Sequence, residues 1–179
     1  MLHTKYLQKH DCRKEEAAMI NTYIVTYGKR LYGLCRTLCG SSFEADDLYQ
    51  DTWLQVVRHM DKYDRSRPFE PWLTRICVNL YRNRLRRWSR SPIQQQFSSN
   101  EAKEQLLAGV AAPQKEDYSD LYAAIDSLPE KLRLTVILFY FQGMDLAAVG
   151  QTLGVPIGTV KSRLNRARNQ LKEVLQDES

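Results

Sequence analysis

From Ala17 to Leu38 the apolar residues return every three or four positions: Ala17, Ile20, Ile24, Tyr27, Leu31, Leu34 and Leu38. That spacing lays one apolar stripe along one side of a helix; a strand would alternate with a period of two. The same helical period returns through most of the 179 residues, and no stretch alternates convincingly as a strand. A helix striped on one side must bury that stripe against another helix, so the expected class is all-α.

Breakers divide the pattern. Gly40-Ser41-Ser42 ends the first helix, and Ser41 or Ser42 caps a second that carries Glu44, Asp46 and Asp47 in its first turns and runs to about Met60. Residues 61–68 form a loop, where Arg67-Pro68 disfavours helix, and a third helix runs from near Pro71 to about Trp88. These helices make a bundle over residues 15–90. Ser91 to Ser119 changes character, with Pro92, a Gln94-Gln95-Gln96 run, Ser98-Ser99-Asn100 and Ala111-Ala112-Pro113. It is expected to be a flexible linker with at most a short helix at Glu101–Leu107. Residues 120–175 are helical again. Tyr122, Ile125 and Leu128 stripe a short helix, and Pro129 opens the next, with Leu132, Val136, Ile137 and Tyr140 inward. After Gln142-Gly143-Met144, Asp145 caps a helix whose inward residues are Leu146, Val149 and Leu153. Gly154-Val155-Pro156 turns, and a last helix follows on Val160, Leu164, Ala167 and Leu171. The expected architecture is therefore two small helical domains joined by a flexible linker.

The last two helices have the anatomy of a helix-turn-helix. Gly150 stands where the helices approach, and Gly154 where the tight turn favours a left-handed backbone. With Val160, Leu164, Ala167 and Leu171 inward, the final helix turns out Gly158, Ser162, Asn165 and Asn169, flanked by Thr159, Lys161, Arg166 and Lys172. From Lys161 to Lys172 there are basic residues and no acid. Charges neutralise phosphates while amides and hydroxyls bond base edges, so this face is expected to read duplex DNA. An ordinary solvated face would account for the charge but not for the small and amide residues.

The first bundle carries two further faces. Arg75, Asn79, Arg82 and Arg86 recur every three or four positions on the third helix, away from Leu73, Ile76, Cys77, Leu80 and Tyr81. Trp72 and Asn83 flank that strip, and the preceding loop adds Arg65, Ser66, Arg67 and Phe69. Arginines beside aromatics and a polar loop suit a DNA backbone with unstacked bases, including one rotated out of the duplex. Core packing is the alternative for Trp72 and Phe69. On the second helix Glu44, Asp47, Gln50, Asp51 and Arg58 share a face with Leu54 in its middle. An exposed leucine ringed by polar groups suits the centre of a protein interface.

Lys and Arg outnumber Asp and Glu by 26 to 21, giving a formal net charge of +5, which suits a polyanionic partner. Residues 1–13 hold no apolar core of a signal peptide, and the longest apolar run, Thr135–Phe141, is too short for a bilayer span. The expected location is the cytoplasm. Cys12, Cys35, Cys39 and Cys77 show no zinc-site spacing with His3 or His10. Reduced, buried thiols are expected; a redox or metal pair at Cys35 and Cys39 is the alternative. No cofactor is expected, nor an enzyme, since no metal set, phosphate-cradling loop or nucleophile–base pair stands out.

At this point the residues resemble a known family, the extracytoplasmic-function (ECF) sigma factors of the sigma-70 family. Ala45-Asp46-Asp47-Leu48-Tyr49-Gln50-Asp51-Thr52-Trp53 is similar to region 2.2, and Phe69-Glu70-Pro71-Trp72-Leu73-Thr74-Arg75-Ile76-Cys77-Val78-Asn79 to regions 2.3 to 2.4. Leu128-Pro129 opens region 4.1, and the stretch Gly154 to Arg168 closely resembles region 4.2. The resemblance implies that Asp47, Gln50, Asp51 and Leu54 dock on the clamp helices of the largest subunit of RNA polymerase. It implies that Arg65, Ser66, Arg67, Phe69, Arg75, Asn79, Arg82, Asn83 and Arg86 melt and read a −10 element. Thr159, Lys161, Ser162, Asn165, Arg166 and Asn169 would read a −35 element in duplex form. Further implied partners are the flap of the second-largest subunit and an inhibitory anti-sigma factor, often membrane-bound, which would hold the protein at the inner face of the membrane. The linker is less acidic than the family's often is. A stand-alone helix-turn-helix regulator is the other reading, and it leaves the faces of the first bundle without a role.

Overall fold

The computed structural model describes residues 2–89 and 119–177, with side chains from Ala18 to Trp88 and from Leu121 to Gln176. The expected linker, with its short helix at Glu101–Leu107, lies outside these residues, as does the side chain of Cys12. Every regular element among the described residues is helical: α1 (Leu2–Leu38), α2 (Ser42–His59), α3 (Phe69–Ser89), α4 (Ser119–Ser127), α5 (Glu130–Val136), α6 (Leu146–Leu153) and α7 (Ile157–Asp177). A 3₁₀ turn over Met60–Lys62 closes α2, and a π-turn over Ile137–Phe141 continues α5.

Local chemistry sets the ends. The Ser41 hydroxyl accepts the Glu44 N–H at 3.2 Å, and Asp145 accepts the Ala148 N–H at 2.7 Å, so each of these caps satisfies one orphan donor. Pro71 sits in the first turn of α3, where no intrahelical N–H bond is lost. Gly154 ends α6 with φ +68°, the left-handed region that glycine enters at no steric cost.

Three helices, α1 to α3, close on each other. Leu31, Leu34, Cys35 and Leu38 meet Ala45, Leu48, Trp53 and Val56 from α2 and Leu73, Cys77, Val78 and Tyr81 from α3, all buried. Each large apolar side chain fully withdrawn from water contributes about 1.5–3 kcal/mol, so these stripes dominate the cohesion of the bundle. A second set, from Leu128 to Ala167, is continuous with the first. The join is specific: α6 lies against α3, Arg133 donates to the Tyr81 hydroxyl, and Arg82 faces Glu130 at 3.5 Å. Arg30 on α1 binds Glu70 at 2.8 Å and also donates to the Gln142 carbonyl.

The stripe of α5 differs from its expected form. Tyr140 was expected inward and is 52% exposed, while Leu134, Thr135 and Leu138 are buried. For Tyr140 the cause is the π-turn, in which Gln142 N–H bonds Ile137 C=O at 3.0 Å, five residues back; Leu134 and Thr135 precede that turn. The extra residue in that turn rotates everything beyond it relative to a 3.6-residue period.

Candidate nucleic-acid interface

The recognition face begins with the packing beneath it. Val160, Leu164 and Ala167 of α7 are buried and Leu171 is half-buried, which turns Lys161, Ser162, Asn165, Arg166 and Asn169 to solvent and leaves Thr159 half-buried at the start. The crossing of α6 and α7 depends on Gly150. A Cβ there would lie 2.8 Å from the Val155 carbonyl oxygen and 3.6 Å from Val160. That same turn is tied by Val155 N–H to Gly150 C=O at 2.9 Å. The Ser162 hydroxyl donates to Thr159 C=O at 3.0 Å, which leaves its lone pairs to accept from a base or water. Arg168, on another side of α7, donates to the Tyr140 hydroxyl at 2.9 Å, which anchors that exposed ring.

On α3 the strip is only partly turned to solvent. Arg75, Asn79, Asn83 and Arg86 are exposed, and Arg87 and Trp88 continue the surface toward the helix end. Arg82 is not turned to open solvent as expected; it is half-buried and faces Glu130 of α5. Arg84 instead joins α3 to α2, with Nη2 2.6 Å from Asp51 Oδ2 and Nη1 bonded to Glu44 C=O.

Arg65, Ser66 and Arg67 lie on the exposed loop between α2 and α3, as expected, but Phe69 does not. Phe69 is 4% exposed, stacked on Tyr23 at 3.9 Å between centroids and surrounded by Tyr27, Trp53, Tyr63 and Trp72. An aromatic ring at the first position of α3 gains more from that cluster than from solvent, so it anchors the loop rather than lining it. Trp72 is half-buried against Tyr63 in the same cluster.

Asp64 was missed in the sequence. Its Oδ1 accepts from the Ser66 hydroxyl at 2.7 Å and the Ser66 N–H at 3.0 Å, while Oδ2 pairs with Arg67 Nε at 3.2 Å. These bonds, the Ser66 hydroxyl first, hold its carboxyl below the usual carboxylate range. Tyr63 adds a hydroxyl bond to Arg67 C=O. An Asp two residues before a Ser is a recognisable local-turn signal, and it was available in the sequence.

The second helix presents Asp47, Gln50, Asp51 and Leu54 at the surface. Leu54 is 52% exposed and Val57, one turn on, is 53% exposed. Val57 was also missed, although i,i+3 spacing places it beside Leu54. The Asp51–Arg84 pair is exposed enough that its net worth is at most about 1 kcal/mol, so a docking partner could draw Asp51 away at small cost.

Cys35 and Cys77 lie with their sulfurs 3.8 Å apart, buried between α1 and α3, and both are free thiols. The thiol contact with Cys77, then burial, pushes the Cys35 thiol up; burial pushes Cys39 up to about 12. Cys35 thus faces Cys77 and not its helix neighbour Cys39. Among the described residues no group of three or more His, Cys, Asp and Glu side chains could hold a metal ion, and no helix is long and apolar enough to cross a membrane.

A three-helix bundle with an acidic-apolar face and a cationic strip, followed by a helix-turn-helix, is the pairing of modules found in the sigma-70 proteins. Residues 23–91 match the model of sigma-70 region 2 and residues 118–171 that of sigma-70 region 4. The ECF RNA polymerase sigma factor SigE of Mycolicibacterium smegmatis is 34% identical over 172 residues, spanning 92% of this chain and 65% of that protein's length. The ECF RNA polymerase sigma factor SigW of Bacillus subtilis is 30% identical, over 84% of this chain and 86% of its own. The chain belongs to the ECF sigma factors of the sigma-70 family. The sigma factor RpoE of Bartonella quintana, solved with the anti-sigma factor NepR, superposes with a TM-score of 0.70 at 25% identity, over 87% of this chain and 96% of that one.

Proposed function

We propose that the chain directs the core of RNA polymerase to promoters without itself catalysing a bond change. In this reading residues 15–90 and 120–175 act as separate modules on either side of the linker 91–119. Lys161, Ser162, Asn165, Arg166 and Asn169, with Thr159 at their edge, enter the major groove at the −35 element. Arg65, Ser66 and Arg67 on the loop and Arg75, Asn79, Asn83 and Arg86 on α3 take the −10 strand as it opens, joined by Arg82 once Glu130 releases it. Asp47, Gln50 and Asp51 surround Leu54 and Val57, which dock on the clamp helices of the largest polymerase subunit, while the second module meets the flap. An anti-sigma factor is the expected inhibitor, as NepR is the partner solved with RpoE, and the site of action is the cytoplasm.

One observation carries the reading: an exposed apolar pair ringed by acids on α2 stands one helix away from a cationic strip on α3. A stand-alone helix-turn-helix regulator has no use for either face. Such a regulator would bind duplex DNA tightly alone, whereas a sigma factor acts through core polymerase. Run-off transcription with core polymerase across a library of genomic promoters should yield discrete start sites, among them one upstream of the protein's own gene. Complete absence of transcripts across that library would sink the reading.

A further inference from the structure

The loop between α2 and α3 is bonded to itself and to the aromatic cluster beneath it. Arg67 N–H bonds Asp64 C=O at 3.0 Å, and the Tyr63 hydroxyl donates to Arg67 C=O, so both backbone polar groups of Arg67 are engaged. The Tyr63 ring lies edge-on to Phe69, with centroids 5.3 Å apart, and 4.9 Å from Trp72. Above that anchor one carboxylate holds two side chains. Asp64 Oδ1 accepts from the Ser66 hydroxyl at 2.7 Å, and Oδ2 pairs with Arg67 Nε at 3.2 Å. The group faces solvent, with the Asp64 side chain 54% exposed.

The direction of the Ser66 bond decides what this patch offers a ligand. An ionised carboxylate only accepts, and the bonds from Ser66 and Arg67 hold the Asp64 carboxyl below its ordinary range. The proton in the bond therefore belongs to Ser66, and a serine hydroxyl has only one. What Ser66 Oγ turns outward is lone pairs. Asp64 adds to them: a carboxylate has roughly four acceptor sites, and the Ser66 hydroxyl, the Ser66 N–H and Arg67 fill three. A hydroxyl bond to a carboxylate is stronger than one to a neutral base edge, so a base does not turn that proton round. An exocyclic amine, with two N–H groups, fits such a patch. Thymine has one imide N–H between two carbonyl oxygens and sets those oxygens against lone pairs.

Resting on the promoter-reading role proposed above, we infer that Ser66 selects a base with an exocyclic amine (adenine, cytosine or guanine) over thymine at one position of the opened −10 strand, and that Asp64 sets this choice by holding the Ser66 proton. Ser66 touches the base, whereas Asp64 is a positioning residue that acts through it. Arg65 and Arg67, exposed on either side of Ser66, meet phosphates, which every sequence carries, so they add affinity without choosing. Selectivity here follows from which way one proton points.

Holoenzyme assembled from core polymerase and the full chain tests this on single-stranded −10 oligonucleotides. They are taken from a promoter mapped by run-off transcription, with each position carrying each base in turn. One position should bind an amine-bearing base about two- to tenfold more tightly than thymine, the worth of one hydrogen bond. Deleting only the amine there (purine for adenine, pyrimidinone for cytosine, hypoxanthine for guanine) should lose the same factor, and this is read on the unaltered protein. Ser66→Ala should bind the amine-bearing, amine-deleted and thymine oligonucleotides alike. Asp64→Asn, whose amide can donate to Ser66 Oγ and free its proton, should narrow the preference to less than about twofold or invert it. Circular dichroism checks that both variants keep their helices. A strand with no position that prefers an amine, or a preference that outlives Ser66→Ala or Asp64→Asn, overturns the assignment. Run-off transcription by the wild-type holoenzyme keeps the two readings apart. Transcripts without a Ser66-dependent base preference remove only this assignment, whereas no transcripts from any promoter remove the promoter-reading role beneath it.

Discussion

Asp64 holds three groups of the loop that joins α2 to α3, with both carboxylate oxygens engaged. Its hydrogen bonds cost little to lose in stability, because the site is exposed, but they fix where Ser66 and Arg67 stand. Asp64→Ala should leave the folding stability within about 0.5 kcal/mol of wild type. Promoter opening should fall about two- to tenfold, the worth of one or two ordering hydrogen bonds, as read by a fluorescent base analogue in the −10 strand. Binding to a −35 duplex should not change; an equal loss there would point to a general defect. The sign with pH follows from the lowered carboxyl: the ordering is complete above the ordinary carboxylate range and disappears as pH falls through the lowered value. At this scale the sequence was an uneven guide. Exposed polar residues on α7 stand where their spacing put them, since a buried stripe fixes its opposite face. Phe69 does not, because what it touches, Tyr23 and Trp53, comes from two other helices, and a short loop beside it gives no sign of that.

Among elements, the α6–α7 pair was the most legible. Asp145, Gly150 and Gly154 are local signals, each set by its own cap, contact or dihedral, and each acts where its position in the sequence implied. The contact at Gly150 makes a firm prediction. Alanine would gain about 1 kcal/mol in helix propensity over glycine, but valine gains less and brings more atoms against the Val155 carbonyl. Gly150→Val should therefore destabilise the second half by about 1–3 kcal/mol, measured by denaturant unfolding, and should weaken −35 duplex binding in parallel. An unaltered midpoint would mean the turn yields more easily than its geometry indicates. The helix before this pair was misjudged at Tyr140. A period of 3.6 cannot announce a bond that reaches five residues back, and the Arg30 contact at the Gln142 carbonyl comes from α1, outside the segment itself.

For the molecule as a whole, docking and DNA reading sit on different helices, and one substitution should separate them. Leu54→Asp places a charge at the middle of the α2 face and should lower affinity for core polymerase at least tenfold, as loss of a central apolar anchor does. Binding of the free protein to a −35 duplex should be untouched, and titration of labelled protein with core enzyme would reveal the difference. Equal polymerase affinity in the variant would move the docking site elsewhere. What the sequence did not disclose is the contact between halves. Arg82 and Glu130 lie on opposite sides of the linker, and no periodicity relates residues that meet only after the chain has doubled back. The three described cysteines add a last consequence. A thiol must become a thiolate before it attacks, and the Cys35 and Cys77 sulfurs are sealed between α1 and α3. Alkylating agents and oxidants therefore reach neither of these two sulfurs while α1 and α3 stay packed, and modification at either one dates the moment when α1 lifted from α3. The core of the bundle keeps its own record of having been opened.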